Sequence, residues 1–260
     1  MKTALTIAGT DSSGGAGVQA DIKTLTCHGV FAMCAMTALT AQNTTGVSDV
    51  LDVGPDFLRE QIKMCAIDIF PDAVKTGMIS SPEQARVIAE CVREYSLKNI
   101  VVDPVMVATS GARLVSEETI CEVQKSLFPL ALIVTPNIPE AEVIAGLTIT
   151  SKDDMEKAAS IIYREYGCAV LVKGGHSSDR ADDFLFGKNG GIWLEEARIE
   201  NPNAHGTGCT LSSAICAGLA LDMSLEDSVR EAKKYISDCL RQMLNLGKGR
   251  GPLHHIIKKW

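Results

Sequence analysis

Short apolar runs alternate with longer amphipathic stretches along almost the whole chain, and this alternation restricts the fold more than any single motif does. "TALTIAG" (3–9) reads as a buried strand, and "GAGVQADIKTLTCHG" follows as a helix with apolar spacing at Val18, Ile22 and Leu25. "FAMCAMTALTAQ" and "VSDVLDV" read as strands, and a helix near 55–66 opens after Pro55. The next units are "DAVKTGM" with a helix over 82–96, "NIVVDPVM" with a helix over 116–127, and "ALIVTPN" with helices near 137–145 and 151–166. "CAVLVKGG", "DDFLF" and "IWLEEA" supply further strands, and helices over about 207–221 and 225–244 close the chain. Strand–helix alternation of this kind predicts an α/β fold with a largely parallel sheet covered on both faces. No linker, repeat or low-complexity block interrupts it, so one domain over 1–260 is expected.

The composition narrows the function. A chain that is 46% hydrophobic and 22% charged is globular, and its net charge of −7 carries no basic cluster beyond "GKGR" and "KKW". Nucleic acid and anionic membrane are therefore not expected partners. No apolar run reaches the length of a membrane span, and "MKTALTIAGTD" breaks too early for a signal peptide, which predicts a cytoplasmic protein. The nine cysteines are odd in number, scattered, and contain no C-x-x-C pair, which argues against disulfides and zinc. Eight read as small buried hydrophobes; Cys209 stands apart because of its neighbours.

In such sheets, ligands bind outside the carboxyl ends of the strands. The polar turns "AGTDSSGGAG", "AQNT", "KTGM", "DPVM", "TPNIPE", "KGGH" and "AHGTGC" all fall at those ends, so a site is expected there. "GTDSSGGAG" (9–17) lacks the Lys-Ser/Thr pair of a Walker loop and the dinucleotide glycine spacing. It reads as a flexible turn capping a helix or as a close backbone approach to a small ligand, with Asp21 one and a half turns further on. "GTGC" opens a helix, where unpaired N–H groups and the positive dipole end make a generic anion site. A thiol in that position is expected to have its pKa lowered, unless Cys209 is only a packed small residue. Lys173 in "LVKGG" suits a phosphate as a point charge, and Asp103 with the pair Asn137/Glu140 suits a magnesium ion held mostly through water. Together these are the parts that phosphoryl transfer needs.

Here the residues carry a family likeness. From "ALTIAGTDSSGGAGVQADIKT" through "ALTAQNT", "KTGM", "VVDPVM", "TPNIPEA" and "VKGGH" to "HGTGCTLSSA" and "GKGRGPLHH", the chain resembles the ribokinase-like superfamily, specifically the hydroxymethylpyrimidine/phosphomethylpyrimidine kinases of thiamine biosynthesis. The resemblance implies a three-layer α/β/α sandwich with a mostly parallel central sheet, ATP and Mg²⁺, and two successive phosphorylations of a pyrimidine alcohol. It also implies a homodimer. Gln42 matches the pyrimidine-reading glutamine, whose amide offers both a donor and an acceptor. Gly9, Asp21, Met78 and Val105 match positions lining the pyrimidine pocket. Lys173, Asn137 and Thr207 are the implied ATP contacts, and Asp103 and Glu140 the implied metal residues. Gly206, Gly208 and Cys209 match the anion hole, with Cys209 where most sugar kinases carry aspartate; it either takes the substrate's proton or only positions groups.

Pyridoxal kinases, which share "HGxGCT", are the alternative; they tend to lack glutamine at the position of Gln42. A non-catalytic nucleotide sensor on the same fold would have no need of Lys173, Asp103, Glu140 and Cys209 together. His176 reads as a nucleotide contact or an ordinary loop residue, and His205 as shaping its turn. His254 and His255 read as packing or a subunit contact. "VATSGAR" (107–113), with Gly111, reads as a flap, and "HSSDRADD" (176–183) as a mobile polar loop near the nucleotide.

Overall fold

The computed structural model describes residues 1–106, 115–175 and 180–257. The elements run β1 (Thr3–Ala8), α1 (Gly17–Cys27), β2 (Phe31–Met36), β3 (Ala38–Asn43), β4 (Gly46–Asp52), α2 (Pro55–Asp68), β5 (Ala73–Thr76), α3 (Pro82–Glu94) and β6 (Ile100–Val102). They continue α4 (Glu117–Ser126), β7 (Ile133–Val134), α5 (Ile138–Ala145), α6 (Lys152–Tyr166), β8 (Ala169–Val172), β9 (Asp183–Gly187), β10 (Gly190–Leu194), α7 (Thr207–Ala220) and α8 (Leu225–Arg241).

Eight strands form one sheet in the order β10-β9-β8-β7-β6-β5-β1-β2. From β2 to β8 every pairing is parallel; β9 and β10 add two antiparallel strands at one edge. Alternate residues of each central strand enter different cores. Leu5, Ile7, Val102 and Val172 pack with Ile62, Ile88 and Ile162 from α2, α3 and α6 on one face. Ala4, Val101 and Leu171 pack with Leu25, Ile215 and Val229 from α1, α7 and α8 on the other. Both faces are apolar, which is why these strands read in the sequence as continuous hydrophobic runs. Ser81, Ser116, Ser151 and Ser224 cap α3, α4, α6 and α8 by accepting a backbone N–H of the first turn.

One expectation changes. "FAMCAMTALTAQ" is not a single strand: it breaks at Thr37, whose carbonyl accepts from Val53 N and from Gln84 Nε2. Beyond the break, β3 leaves the main sheet and pairs antiparallel with β4 in a separate two-stranded sheet, with a bulge between Ala41 and Gln42. α8 also stops at Arg241, short of 244. Among the described residues, no helix is long and apolar enough to cross a membrane.

Candidate active site

The carboxyl ends of the parallel strands bring the polar turns to one edge, as the alternation required. Two helix starts meet there. Gly206, at φ 86°, sits so close to the loop before α1 that a Cβ on it would lie 1.9 Å from the Gly15 carbonyl oxygen. Gly17, at φ 57°, approaches the Gly9 carbonyl in the same way, at 2.3 Å. Only glycine allows both approaches, and they put the first turn of α7 beside the first turn of α1.

Gly206, Thr207, Gly208 and Cys209 form that first turn of α7, with backbone N–H groups of the kind that attract anions. Gly208 faces the next pair: a Cβ there would lie 3.4 Å from Lys173 Nζ and 3.6 Å from Asp103 Oδ2. Lys173, at the end of β8, donates to Asp103 Oδ1 at 2.8 Å, and Thr135 Oγ1 and Ser212 Oγ donate to the same carboxylate at 3.0 and 3.2 Å. Burial would raise the Asp103 carboxyl, but the Lys173 and Lys75 cations outweigh it and hold it low.

The spacing of Asn137 and Glu140 has a structural cause. They form a capping box at the start of α5: Asn137 Oδ1 accepts Glu140 N at 2.9 Å, and Glu140 Oε2 accepts Asn137 N at 2.8 Å. Glu140 is nonetheless chemically unusual. Burial pushes its carboxyl up to about 7 despite the Lys173 cation, with the Asp103 charge adding to the rise. Two adjacent buried carboxylates, one of them reluctant to ionise, suit a hard cation bound through water and ligand oxygens. Among the described residues, no group of three or more His, Cys, Asp or Glu gathers as a metal cage. Asp103 and Glu140 suit magnesium only in a water-rich mode, with water and phosphate supplying most of its ligands.

The expectation of a lowered Cys209 pKa is overturned. Burial pushes the thiol up to about 11; the Lys75 ammonium and a hydrogen bond from the Gly17 N–H work against this, while Asp21 and Asp103 add to it. Desolvation of the thiolate is the largest cause, and the net shift is upward.

Asp21 is also placed differently from a pocket-lining residue. It is 0% exposed, and Lys75 Nζ reaches both its oxygens at 3.0 and 2.9 Å. Thr6 Oγ1 and Ser213 Oγ complete its shell at 2.6 and 2.7 Å. The carboxylate thus stands behind the site as the counter-charge of Lys75. Burial would lower the Lys75 ammonium, yet Asp21 more than compensates and raises it. In the sequence, "KTGM" falls at the site edge without a role for Lys75; the tertiary pairing with Asp21 supplies it.

Gly9 and Met78 lie together, since a Cβ on Gly9 would meet Met78 Cε at 2.6 Å. Val105 lies two residues past Asp103, half-buried beside an apolar recess with Met106 and Val115. Gln42 stands at the β3 bulge in an open cavity with Ser12, Asn43 and Thr45. Ser12 ties the two loops, its hydroxyl donating to the Gln42 carbonyl at 2.7 Å. Asp11, which the sequence reading passed over, is 1% exposed and binds His205 Nε2 at 2.7 Å. Burial would raise its carboxyl; hydrogen bonds from His205 and Ser13 hold it well below the usual range. The closing "GKGRGPLHH" straps this corner: Gly251 O accepts His205 N, and His255 Nε2 lies 3.1 Å from Thr210 Oγ1. His176 and the flap at 107–113 lie outside the described residues, as do residues 176–179 of the loop at 176–183.

A sequence-family profile described as phosphomethylpyrimidine kinase matches residues 11–254. The chain belongs to that family. It is 44% identical to the hydroxymethylpyrimidine/phosphomethylpyrimidine kinase of Rhizobium meliloti, over 99% of this chain and 98% of the relative. It is also 44% identical to the thiamine biosynthesis bifunctional protein ThiED of Geobacter sulfurreducens, covering 97% of this chain but only about half, 52%, of that longer protein. Among solved structures, a phosphomethylpyrimidine kinase of Clostridium difficile superposes with a TM-score of 0.82 at 45% identity, covering 92% of this chain and 99% of that one. A pyridoxal kinase of Staphylococcus aureus, in complex with AMP-PCP and pyridoxal, superposes with a TM-score of 0.90 at 33% identity, covering 98% and 94%. This family member is thus a kinase with the ribokinase-like three-layer α/β/α sandwich that its sequence resemblance implied.

Proposed function

We propose that the protein transfers the γ-phosphoryl group of ATP to the hydroxyl of 4-amino-5-hydroxymethyl-2-methylpyrimidine, and then a second one to the resulting monophosphate. The observation that carries this reading is the position of Gln42: its amide lies 3.4 Å from His205, the residue immediately before Gly206. An amide able to pair with an aminopyrimidine edge therefore sits against the turn suited to receive a phosphoryl group. In this reading the helix start of α7 stabilises charge on the transferring group, Lys173 and Thr207 contact the ATP phosphates, and Asn137 borders the nucleotide. Asp103 and Glu140 would hold Mg²⁺ mainly through water, and the ion would neutralise phosphate charge there. Gly9, Met78 and Val105 line the ring pocket, and Cys209 lies where the substrate hydroxyl loses its proton.

The test is phosphate transfer from ATP to the hydroxymethylpyrimidine, to its monophosphate and to pyridoxal, run side by side. Consumption of two ATP per pyrimidine, with accumulation of the diphosphate, is the expected result. Pyridoxal turned over far better than both pyrimidines would instead place the chain with the pyridoxal kinases, whose fold it matches closely.

Gln42→Leu keeps the volume roughly similar and removes both hydrogen-bonding groups, leaving polar atoms of the ring unpaired. A loss of about 1–3 kcal/mol in transition-state binding is expected, roughly ten- to a hundredfold in kcat/KM. Unchanged kinetics with both pyrimidines would remove Gln42 from the site.

A further inference from the structure

The two ends of a carboxamide are alike in shape, so the orientation of Gln42 is decided by what surrounds it. Its Nε2 position lies 3.4 Å from His205 Nε2, and its Oε1 position lies 3.4 Å from Thr40 Oγ1. Both neighbours are already committed. Asp11 Oδ2 accepts from Gly15 N at 3.0 Å, from Ala16 N at 2.8 Å and from His205 Nε2 at 2.7 Å. An ionised carboxylate only accepts, so the His205 proton resides on Nε2 whether the ring is neutral or charged. Thr40 Oγ1 spends its one proton on the Thr10 carbonyl at 2.7 Å.

With the amide nitrogen toward His205, an N–H donor would face a ring nitrogen whose lone pair is lost to the proton held by Asp11. Thr40 would also need a second proton for the amide oxygen. Turning the amide by half a revolution removes both conflicts: the oxygen then faces the His205 Nε2–H as the long branch, at 3.4 Å, of a three-centre bond whose short branch is Asp11, and the nitrogen donates to Thr40.

We propose that His205 is a specificity-determining positioning residue, whose Asp11-held Nε2–H fixes the Gln42 amide with its oxygen toward His205 and its nitrogen toward Thr40. The order of acceptor and donor presented to a bound ring follows from that orientation. A 4-aminopyrimidine edge offers a ring-nitrogen acceptor beside an amino donor, whereas its 4-oxo counterpart offers the reverse. Fixing the amide lets the site favour one and reject the other, because the wrong edge leaves buried polar groups unpaired. This inference rests on the reading of Gln42 as the group that contacts the ring. The contact is held by sterics as well as by hydrogen bonding: His205 is 7% exposed, and a Cβ on Gly15 would lie 2.4 Å from its Cδ2.

The experiment compares the aminopyrimidine alcohol with its 4-oxo analogue in the wild type and in His205→Phe, which keeps a ring but has no N–H. The wild type should favour the amino compound, and the variant's preference, as a ratio of kcat/KM values, should fall on the order of tenfold. The change should appear in KM for the amino compound rather than in kcat. Equal losses for both compounds, with the ratio kept, would make His205 a purely structural residue and overturn the proposal. Wild-type enzyme that phosphorylates neither compound would sink the substrate reading and this inference with it. A second measurement, independent of how the variant packs, uses the unmodified protein: ¹H–¹⁵N correlation of the His205 ring. A protonated Nε2 at neutral pH is expected, and an unprotonated one overturns the assignment without any variant.

Discussion

Replacing Cys209 by alanine should lower the first phosphorylation by a factor on the order of 10²–10⁴ if the sulfur accepts the proton of the substrate alcohol. The second step should suffer less, since its phosphate nucleophile is already ionised near neutral pH. If the residue only helps to shape the helix start, both steps should fall together, because both move a phosphoryl group past the same N–H groups. The pH profile separates the two roles further. Burial holds the thiol at about 11, so the thiolate is scarce at neutral pH and its fraction grows about tenfold per pH unit. The first step should therefore climb steadily through neutral and mildly alkaline pH without a plateau. The sign for stability is opposite. Folding suppresses ionisation of this thiol, so the unfolded chain holds fewer protons above its ordinary value of 9.0 and stability declines from there upward. Rates are best compared below that pH. Equal losses in both steps, together with a flat profile for the first, would rule out the base role.

Removing the carboxylate behind the site should have the largest effect on the fold. Asp21→Ala leaves the Lys75 ammonium, 0% exposed, without the partner it binds at 2.9 Å. An unpaired charge in that position costs about 3–5 kcal/mol. For a chain of this size the melting temperature should fall on the order of 10 °C. The double change Asp21→Ala with Lys75→Met should recover a good part of the loss, since it removes the stranded charge along with its partner. A single-variant loss below about 1 kcal/mol by denaturant unfolding would mean that Asp103 and nearby water neutralise Lys75 without Asp21.

The strand–helix alternation was legible in the sequence because the parallel strands are mostly apolar on both faces and helices such as α3, α6 and α8 carry a polar stripe, so neither depends on distant contacts to be recognised. The set of polar turns was legible for a related reason: a parallel sheet places every strand's carboxyl end on one edge, so "KTGM", "VVDPVM", "TPNIPE", "KGGH" and "HGTGC" had to share it. The glycines at 206 and 17 were visible as glycines, though not the carbonyls they make room for.

Tertiary structure decided what those residues are chemically. Helix-dipole reasoning, applied to Cys209 alone, gave the wrong direction for its pKa, since desolvation and the charges of Asp21 and Asp103 come from segments far apart in the chain. Asp21 fitted a pocket wall by position, yet the register of β1 against β5 sets Thr6 beside Lys75 and turns the carboxylate onto the ammonium. The Asn137/Glu140 spacing is a helix cap first, and only burial beside Asp103 and Lys173 makes Glu140 hard to ionise. The Asp11–His205 contact spans 194 residues and bears on an amide from a third segment. Local pattern fixes which backbone segments form and where their ends point, because those choices depend on neighbours within a few residues. Charge states and side-chain orientations depend on burial and on partners that only the folded chain brings within a few ångströms.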